Sequence, residues 1–494
     1  MTSRSAAGAF LLVGAHAVEV SVLVAALTLY RRGDRGLRAF LAAPVGWACL
    51  VALLVLVVSV PLLVYLARLL PPPRMRRLTA LVVLNLFSVT LAFGVAEAIV
   101  RVLATPAIQG PVFAGTVLLP YRWEDATARG RATLERAAIE QSYLVHDGDL
   151  GWTIGPNRAS KDYNRQAVEQ YLARVGRASR RRAPADADGR IYVSSAEGLR
   201  SPRPGMSFAA LPAKRRIAVV GDSFTFGLEV RYEETWAHQL EQALGSEVQV
   251  LNFGVDGYGV DQAYLRYRRD VLAWHPEIVI LGMIDDDLRR TMCVYGFLCF
   301  SGFGIPFSKP RLVLTDHGLA PLNLPLPAPD SLFAKRSIAD LPFIEFDVAF
   351  DPRAWQWRFY HHSYAIRFAL SRYHPWTMAR PPVTREVMKS LNAEVVRAFV
   401  KLAREHGSTP IVAFFPSNPD PAWAASRAPN VADEVLAAKG IRYFDLTGCV
   451  EAVPAPDRFV ALHYSARTNA AVARCLRDAI AAGFESSDEG GGRR

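Results

Sequence analysis

Long hydrophobic stretches dominate the N-terminal fifth of the chain. Residues 9–30 carry Glu19 as their one formally charged residue, with His counted as neutral, and residues 39–67 and 78–96 carry none. Each stretch approaches or exceeds the roughly 20 residues that an α-helix needs to cross a bilayer. A buried helical domain is the alternative, but a charge-free run as long as the second is unusual in a soluble core. The pattern predicts a membrane region with three transmembrane helices over residues 1–103.

Further along the chain, short apolar runs of strand length alternate with segments of helical spacing. This alternation is typical of a doubly wound, mainly parallel sheet with helices packed on it. The runs predict five strands, over residues 217–221, 248–252, 277–282, 409–415 and 441–446, and helices over 233–244, 394–405 and 467–482.

One long segment interrupts this rhythm. Residues 292–385 are rich in Pro, Phe, Trp and Tyr, and we interpret them as an inserted cap or lid, because long loops in compact domains are usually functional. The aromatic residues could line a groove or could give the insertion its own core. The remaining boundaries are a connector over 104–189, the α/β domain over 190–482 and a disordered tail over 483–494.

Composition and charge narrow the functional classes. The formal net charge is +11, and arginines cluster between residues 174 and 190. Such a cluster could attract anionic headgroups or an acidic polymer, or could be a solvated loop. The arginines are not interleaved with aromatic residues and no zinc-ligand spacing occurs, so we expect no nucleic-acid partner, no metal and no cofactor.

The candidate chemistry begins at Ser223, in the run G-D-S-F-T-F-G over residues 221–227. An apolar, β-branched strand precedes this run and a helical segment follows it. A serine at a strand-to-helix turn lies beside outward-facing N–H groups and the positive end of a helix dipole. It can act as a nucleophile if a base reaches it, and a turn that merely caps an ordinary helix is the alternative.

Four blocks of sequence together resemble the SGNH (GDSL-type) hydrolase family across roughly residues 190–482. The blocks are residues 221–227, 250–259, 277–288 and 463–469. The second block contains Asn252 and Gly257, and the fourth begins with His463. The resemblance implies a three-layer α/β/α sandwich and ester hydrolysis or acyl transfer. It assigns Ser223 as nucleophile and His463 as base. The oxyanion donors would be the N–H groups of Ser223 and Gly257 and a side chain at Asp286, or at Asp285 if the alignment shifts.

Two positions depart from the family pattern. The family normally has Asn where Asp286 stands, and an ionised carboxylate cannot donate a hydrogen bond to an oxyanion. Asp286 would have to be protonated or neutralised by Arg289 or Arg290, or the site would be weakened. Val460 replaces the usual Asp three residues before the histidine. Asp457 could serve as the third member, or a Ser–His dyad or a partial loss of activity could explain the change.

The resemblance also suggests a location and a role. Basic residues before the third apolar stretch, and Ala96-Glu97-x-x-x-Arg101 at its end, resemble the membrane anchor of exported family members. We therefore expect a multi-pass inner-membrane protein whose catalytic domain lies outside the cytoplasm. In such a domain Cys293 would pair with Cys299 and Cys449 with Cys475, free thiols being the alternative.

The expected function is a serine esterase, or an O-acyltransferase or deacylase, acting on acylated cell-envelope glycans or lipids. Its partners would be this substrate, the membrane and, as a possibility, the machinery of an envelope polysaccharide. Two alternatives remain open: a non-catalytic binding module with the same fold, and a phospholipase- or thioesterase-like hydrolase.

Overall fold

A computed structural model describes most of the chain after the second apolar stretch. The described residues are 72–105, 110–114, 116–161, 190–212, 214–300, 305–373, 382–417 and 431–487. The first two predicted membrane spans lie outside them. The chain forms two compact units. Among the described residues, the helical unit comprises 72–105, 110–114, 116–122 and 353–373. The sheet unit comprises 123–161, 190–212, 214–300, 305–352, 382–417 and 431–487.

The strands in chain order are β1 (Val112–Phe113), β2 (Thr116–Val117), β3 (Leu144–Asp147), β4 (Gly151–Ile154), β5 (Ala159–Lys161), β6 (Arg190–Val193), β7 (Arg215–Val220), β8 (Val248–Asn252), β9 (Ile278–Met283), β10 (Leu312–Thr315), β11 (Gly318–Pro321), β12 (Thr409–Phe414) and β13 (Phe444–Asp445). The helices are α1 (Pro72–Leu103), α2 (Trp123–Ile139), α3 (Ser223–Phe226), α4 (Trp236–Leu244), α5 (Val260–Arg266), α6 (Asp285–Arg290), α7 (Gly296–Cys299), α8 (Pro329–Phe333), α9 (Tyr364–Tyr373), α10 (Pro382–Glu405), α11 (Val431–Val435), α12 (Thr447–Glu451) and α13 (Ala466–Ala481).

Within the helical unit, α1 contains one segment that could cross a membrane. Arg77–Leu103 is 27 residues long and apolar enough to span a bilayer, and only 6% of its apolar 18-residue stretch is buried. The third predicted span, 78–96, falls inside it. Length and composition alone are weak evidence for a membrane span, and among the described residues no second helix meets the same criteria.

The end of α1 is joined to the start of α9 through one carboxylate. Glu97 accepts hydrogen bonds from the Ser363 hydroxyl (2.7 Å) and from the N–H groups of Tyr364 (3.1 Å) and Ala365 (2.9 Å). Arg101 pairs with Glu97 at 3.0 Å and donates to the carbonyl of His362 at 2.9 Å. The Glu97-x-x-x-Arg101 motif therefore caps the free N–H groups of α9.

The sheet unit is built on five parallel strands in the order β13-β12-β9-β7-β8, which confirms the predicted parallel α/β sheet. Side chains alternate along each strand, so neighbouring residues enter different apolar clusters. In β7, Ile217 and Val219 lie in one cluster, and Ala218 and Val220 lie in the other. Helices α4 and α13 contribute to the first cluster, and α5 and α10 contribute to the second.

Parts of the predicted connector and insertion pack differently from the boundaries drawn on the sequence. Tyr143, Leu150 and Trp152, from the connector, are fully buried in the core of the sheet unit. The predicted insertion over 292–385 is divided, because its described residues up to 352 belong to the sheet unit and residues 353–373 belong to the helical unit. Its last predicted residues already lie in α10, which begins at Pro382.

The C-terminal segment remains attached further than expected. The Ser486 N–H donates to the carbonyl of Pro410 (2.9 Å), and the Ser486 hydroxyl accepts from the N–H of Val412 (2.9 Å). Ser486 therefore pairs with β12, within the tail for which the sequence predicted disorder from residue 483. Both predicted disulfides, Cys293–Cys299 and Cys449–Cys475, are confirmed.

Candidate active site

Ser223 begins α3, directly after the turn that follows β7. Asp222 is the N-cap, and its carboxylate accepts the N–H of Phe224 at 2.9 Å. A Cβ at Gly221 would collide with the Thr225 side chain and the carbonyl of Gly282, so the tight turn requires glycine. Because the first N–H groups of a helix have no partner within it, this turn presents both the serine hydroxyl and its own N–H.

The structure brings the two predicted reactive residues together. Ser223 Oγ lies 2.9 Å from Nε2 of His463, although the two residues are 240 positions apart in the chain. His463 precedes α13, and its ring packs on the ring of Phe224 at a centroid distance of 4.9 Å. Both residues are buried, with Ser223 3% exposed and His463 8% exposed. The pair is therefore held in a defined geometry and shielded from bulk water.

A carboxylate that the sequence did not single out completes this chain of hydrogen bonds. Oε1 of Glu229 lies 2.9 Å from Nδ1 of His463. The same carboxylate accepts the backbone N–H groups of Ala461 (2.9 Å), Leu462 (3.1 Å) and His463 (3.2 Å). Since Nδ1 faces a carboxylate, we assign the ring proton to Nδ1, which leaves Nε2 to accept the serine proton.

The two groups shift each other's pKa. Burial by itself would raise the pKa of Glu229, but the charge and hydrogen bond of His463, with the backbone donors, lower it overall. Burial would lower the pKa of His463, but the charge and hydrogen bond of Glu229 outweigh it, and Asp256 and Asp222 add to the effect. The net pKa of His463 is raised, so the arrangement stabilises an imidazolium.

Asp457, the expected third member, has a different partner. Asp457 does not occupy Nδ1 of His463. Its carboxylate pairs with Arg467 at 2.5 Å instead. Val460 contacts the histidine through its backbone, because its N–H donates to the carbonyl of His463 at 2.9 Å. A faint signal for Glu229 exists in the sequence, where a single acidic residue stands between Leu228 and Val230 shortly after the serine.

The backbone N–H groups of Ser223 and Gly257, in the first and second blocks, are the expected oxyanion donors. Among the described residues, neither the N–H of Ser223 nor that of Gly257 has a hydrogen-bond partner. Gly257 has φ +77, and an added Cβ would lie 3.1 Å from Ile305 and 3.3 Å from Phe300. Asn252 connects its loop to α3 by donating to the carbonyl of Thr225 at 2.8 Å. The arrangement leaves two donors available for an oxyanion.

The acidic third block is organised differently from the expectation. Asp286 has a side chain that is 61% exposed and lies 3.6 Å from Arg289, so it is solvated and is not enclosed with Ser223. Its neighbour Asp287 is the buried carboxylate, and it pairs with Arg290 at 2.6 Å. Burial, and next the charge of Asp222, raise the pKa of Asp287 well above its usual range, although Arg290 opposes this.

Arg290 also connects the loops that carry the backbone donors. Its Nη1 lies 3.4 Å from Oδ2 of Asp222 and donates to the carbonyl of Tyr258 at 3.1 Å. Asp285, the other candidate for the third block, is the first residue of α6. Within the described ranges, no group of three or more His, Cys, Asp or Glu side chains could hold a metal ion.

Comparison with known proteins gives only distant likenesses. No family model matches the chain, and no curated protein matches it. Among solved structures, one assigned to a lipolytic G-D-S-L family, from Desulfitobacterium hafniense DCB-2, is 17% identical, with 54% of this chain and 99% of that chain covered and a TM-score of 0.25.

Two further structures have named activities. An inhibitor-bound aryl esterase of M. smegmatis is 13% identical, with 55% and 100% coverage and a TM-score of 0.29. A catalytic mutant of Axe2, an acetylxylan esterase from Geobacillus stearothermophilus, is 15% identical, with 56% and 97% coverage and a TM-score of 0.27. All three TM-scores are below 0.5.

Proposed function

We propose that this protein is a serine esterase or O-acyl-transfer enzyme of the SGNH type, with Ser223, His463 and Glu229 as its catalytic triad. The three-layer α/β/α architecture belongs to the proposal and is favoured by the two apolar clusters of the sheet. The observation that carries the proposed catalytic function is the pair of 2.9 Å contacts that joins Ser223 to His463 and His463 to Glu229. This geometry matches what a weak hydroxyl nucleophile needs to become reactive.

In the first half-reaction, Nε2 of His463 takes the proton from Ser223 Oγ as that oxygen attacks the ester carbonyl. The negative charge that forms on the carbonyl oxygen is stabilised by the N–H groups of Ser223 and Gly257. Glu229 stabilises the imidazolium and fixes the ring orientation. When the C–O bond breaks, His463 returns its proton to the leaving alkoxide, and the acyl group remains on the serine.

In the second half-reaction the same residues act in the reverse order. His463 takes a proton from water or from an acceptor hydroxyl, which attacks the acyl-serine. When the intermediate collapses, the bond between the acyl carbon and Ser223 Oγ breaks, His463 returns its proton to that oxygen, and an acid or a new ester is released. The choice between hydrolysis and transfer therefore depends on which hydroxyl reaches the acyl-enzyme, because the triad performs the same proton transfers in both cases.

We further propose that the substrate is an acylated glycan or lipid of the cell envelope. An apolar helix of spanning length, two disulfides and an arginine-rich sequence support a membrane protein whose catalytic domain faces an oxidising compartment. Multi-pass insertion in the inner membrane, and a partnership with envelope polysaccharide machinery, belong to the same proposal. An alkaline phosphatase fusion after residue 110 should be active, and an inactive fusion paired with an active cytoplasmic reporter would reverse the orientation.

Labelling with a fluorophosphonate tests the chemical proposal directly. The wild type should be labelled and Ser223→Ala should not be, whereas Ser246→Ala, which changes an exposed serine, should be labelled like the wild type. Labelling of Ser223→Ala as strong as that of the wild type would refute the assignment of Ser223 as the nucleophile. A folded wild type that is neither labelled nor turns over an aryl acetate would favour the non-catalytic binding module.

A further inference from the structure

The backbone of Glu229 is held in a conformation that its residue type disfavours. Its φ is +68, in the left-handed region, where a non-glycine residue costs on the order of 1 kcal/mol. The flanking residues Leu228 and Val230 are 1% and 2% exposed, so the segment is enclosed on both sides. Such a conformation persists only where surrounding groups hold it.

A buried arginine binds the backbone on both sides of this residue. The guanidinium of Arg200 donates from Nη1 to the carbonyls of Phe226 (3.0 Å) and Gly227, and from Nη2 to the carbonyl of Val230 (2.5 Å). Arg200 is 1% exposed, and its guanidinium carbon lies 4.6 Å from the centre of the Phe226 ring. The planar fork of donors therefore spans the turn whose centre is occupied by Glu229.

A tyrosine holds the backbone N–H of Glu229 itself. The hydroxyl oxygen of Tyr192 accepts the N–H of Glu229 at 3.0 Å, and Tyr192 is fully buried. Its ring lies 5.1 Å from the guanidinium of Arg200 and 5.4 Å from the ring of Phe226. Tyr192 belongs to β6 and Arg200 follows it, so both contacts come from the segment that precedes the parallel sheet.

We infer that Arg200 and Tyr192 are positioning residues that hold the Glu229 carboxylate against His463. The inference rests on the proposed function for its catalytic consequence, but not for its geometry. Without these contacts, the turn can relax to a less strained backbone, and a small rotation there moves the carboxylate away from Nδ1. The segment before the sheet would then contribute to catalysis without touching the substrate.

The test uses Tyr192→Phe, which removes one oxygen and no charge. Its matched control is Tyr143→Phe. The Tyr143 ring lies 6.1 Å from the Tyr192 ring, and its hydroxyl donates to the carbonyl of Val193 at 3.1 Å. Both proteins should have similar thermal stability. The main readout is the pKa of the His463 imidazole, measured by NMR titration and assigned by the signal that His463→Gln removes.

Glu229, Asp222 and Asp256 are the carboxylates whose charge acts on His463, and Arg290 pairs with Asp222 nearby. We expect Tyr192→Phe to lower the pKa of His463, because the Glu229 charge moves away while the others stay. The variant should also lower kcat by about fivefold with little change in KM, as one lost hydrogen bond of ordinary strength predicts. Tyr143→Phe should change neither quantity.

Arg200→Lys provides a second variant with the charge retained, and its effects on the His463 pKa and on kcat should be larger than those of Tyr192→Phe. An unchanged His463 pKa in both Tyr192→Phe and Arg200→Lys would overturn the inference, whatever the activity. A shifted His463 pKa in the variants would support the positioning role even if the wild type has no turnover. The missing turnover of the wild type would then refute the proposed function and not the positioning role. The two failures are therefore distinguishable.

Discussion

Replacing Glu229 by Gln should disable the proposed triad while leaving its shape almost unchanged. The substitution removes the negative charge beside Nδ1 of His463. It also places an amide NH₂ against donors, since the carboxylate now accepts the imidazole and the N–H groups of Ala461, Leu462 and His463. At least one of these donors must lose its acceptor whichever way the amide is turned.

The magnitude follows from the contact that is lost. A hydrogen bond between a charged pair contributes about 2 kcal/mol, which corresponds to roughly thirtyfold in rate if it is fully expressed in the transition state. Because the imidazolium forms only during reaction, we expect this loss mainly in kcat. The rate of serine labelling by a fluorophosphonate should fall in parallel, since the same proton transfer activates Ser223.

The pH profile should shift in a defined direction. His463 must be neutral to take the serine proton, so kcat/KM rises as the pH passes the pKa of His463. Glu229 raises that pKa against the effect of burial. In Glu229→Gln burial acts with less opposition, so the acidic limb should move to lower pH, measured on an aryl acetate across the pH range.

Asp457→Asn is the informative control, because Asp457 is the third member that the sequence suggested. Its activity should stay within about twofold of wild type, since its carboxylate pairs with Arg467. The reasoning would be refuted if Asp457→Asn lost activity and Glu229→Gln retained it. It would equally be refuted if Glu229→Gln left the acidic limb unmoved in a folded protein.

Three further outcomes follow from the structure. Asp286→Asn should retain activity on an aryl acetate, because its side chain is solvated, and a collapse of turnover in the folded variant would show that this carboxylate acts at the site. Gly257→Ala should lower kcat by roughly a hundredfold, because φ +77 and the contacts with Ile305 and Phe300 displace one oxyanion donor, and an unchanged kcat would argue against that donor. Replacing Cys449 and Cys475 by Ser should lower the free energy of unfolding by about 3 kcal/mol, as measured by denaturant titration, since the bond closes a loop with a sequence separation of 26 residues.

The sequence was informative wherever the chemistry depends on local pattern. Five short apolar runs predicted five parallel strands, because a strand that is buried on both faces of a parallel sheet is an almost continuous apolar, β-branched run. Ser223 and His463 stood in recognisable blocks, since a strand-to-helix turn demands small residues such as Gly221. The pairs Cys293–Cys299 and Cys449–Cys475 were also predicted from the sequence, and the structure contains both.

The sequence was less informative about the third block, where three consecutive acidic residues look alike. In the structure they have different environments, because a helical turn points successive side chains in different directions. Asp286 is solvated beside Arg289, and Asp287 is buried against Arg290. The local sequence does not indicate which of these carboxylates is buried in the core.

By itself, the sequence determined the parallel α/β domain, the serine, the histidine and an apolar N-terminal region. Tertiary structure alone decided which carboxylate reaches His463. Glu229 and Asp457 lie at very different distances along the chain from the histidine, and contact depends on how the turn after α3 is held by Arg200 and Tyr192. Spacing in sequence cannot report this, because a left-handed backbone and a long-range hydrogen bond arise only after the sheet and its preceding segment have packed together.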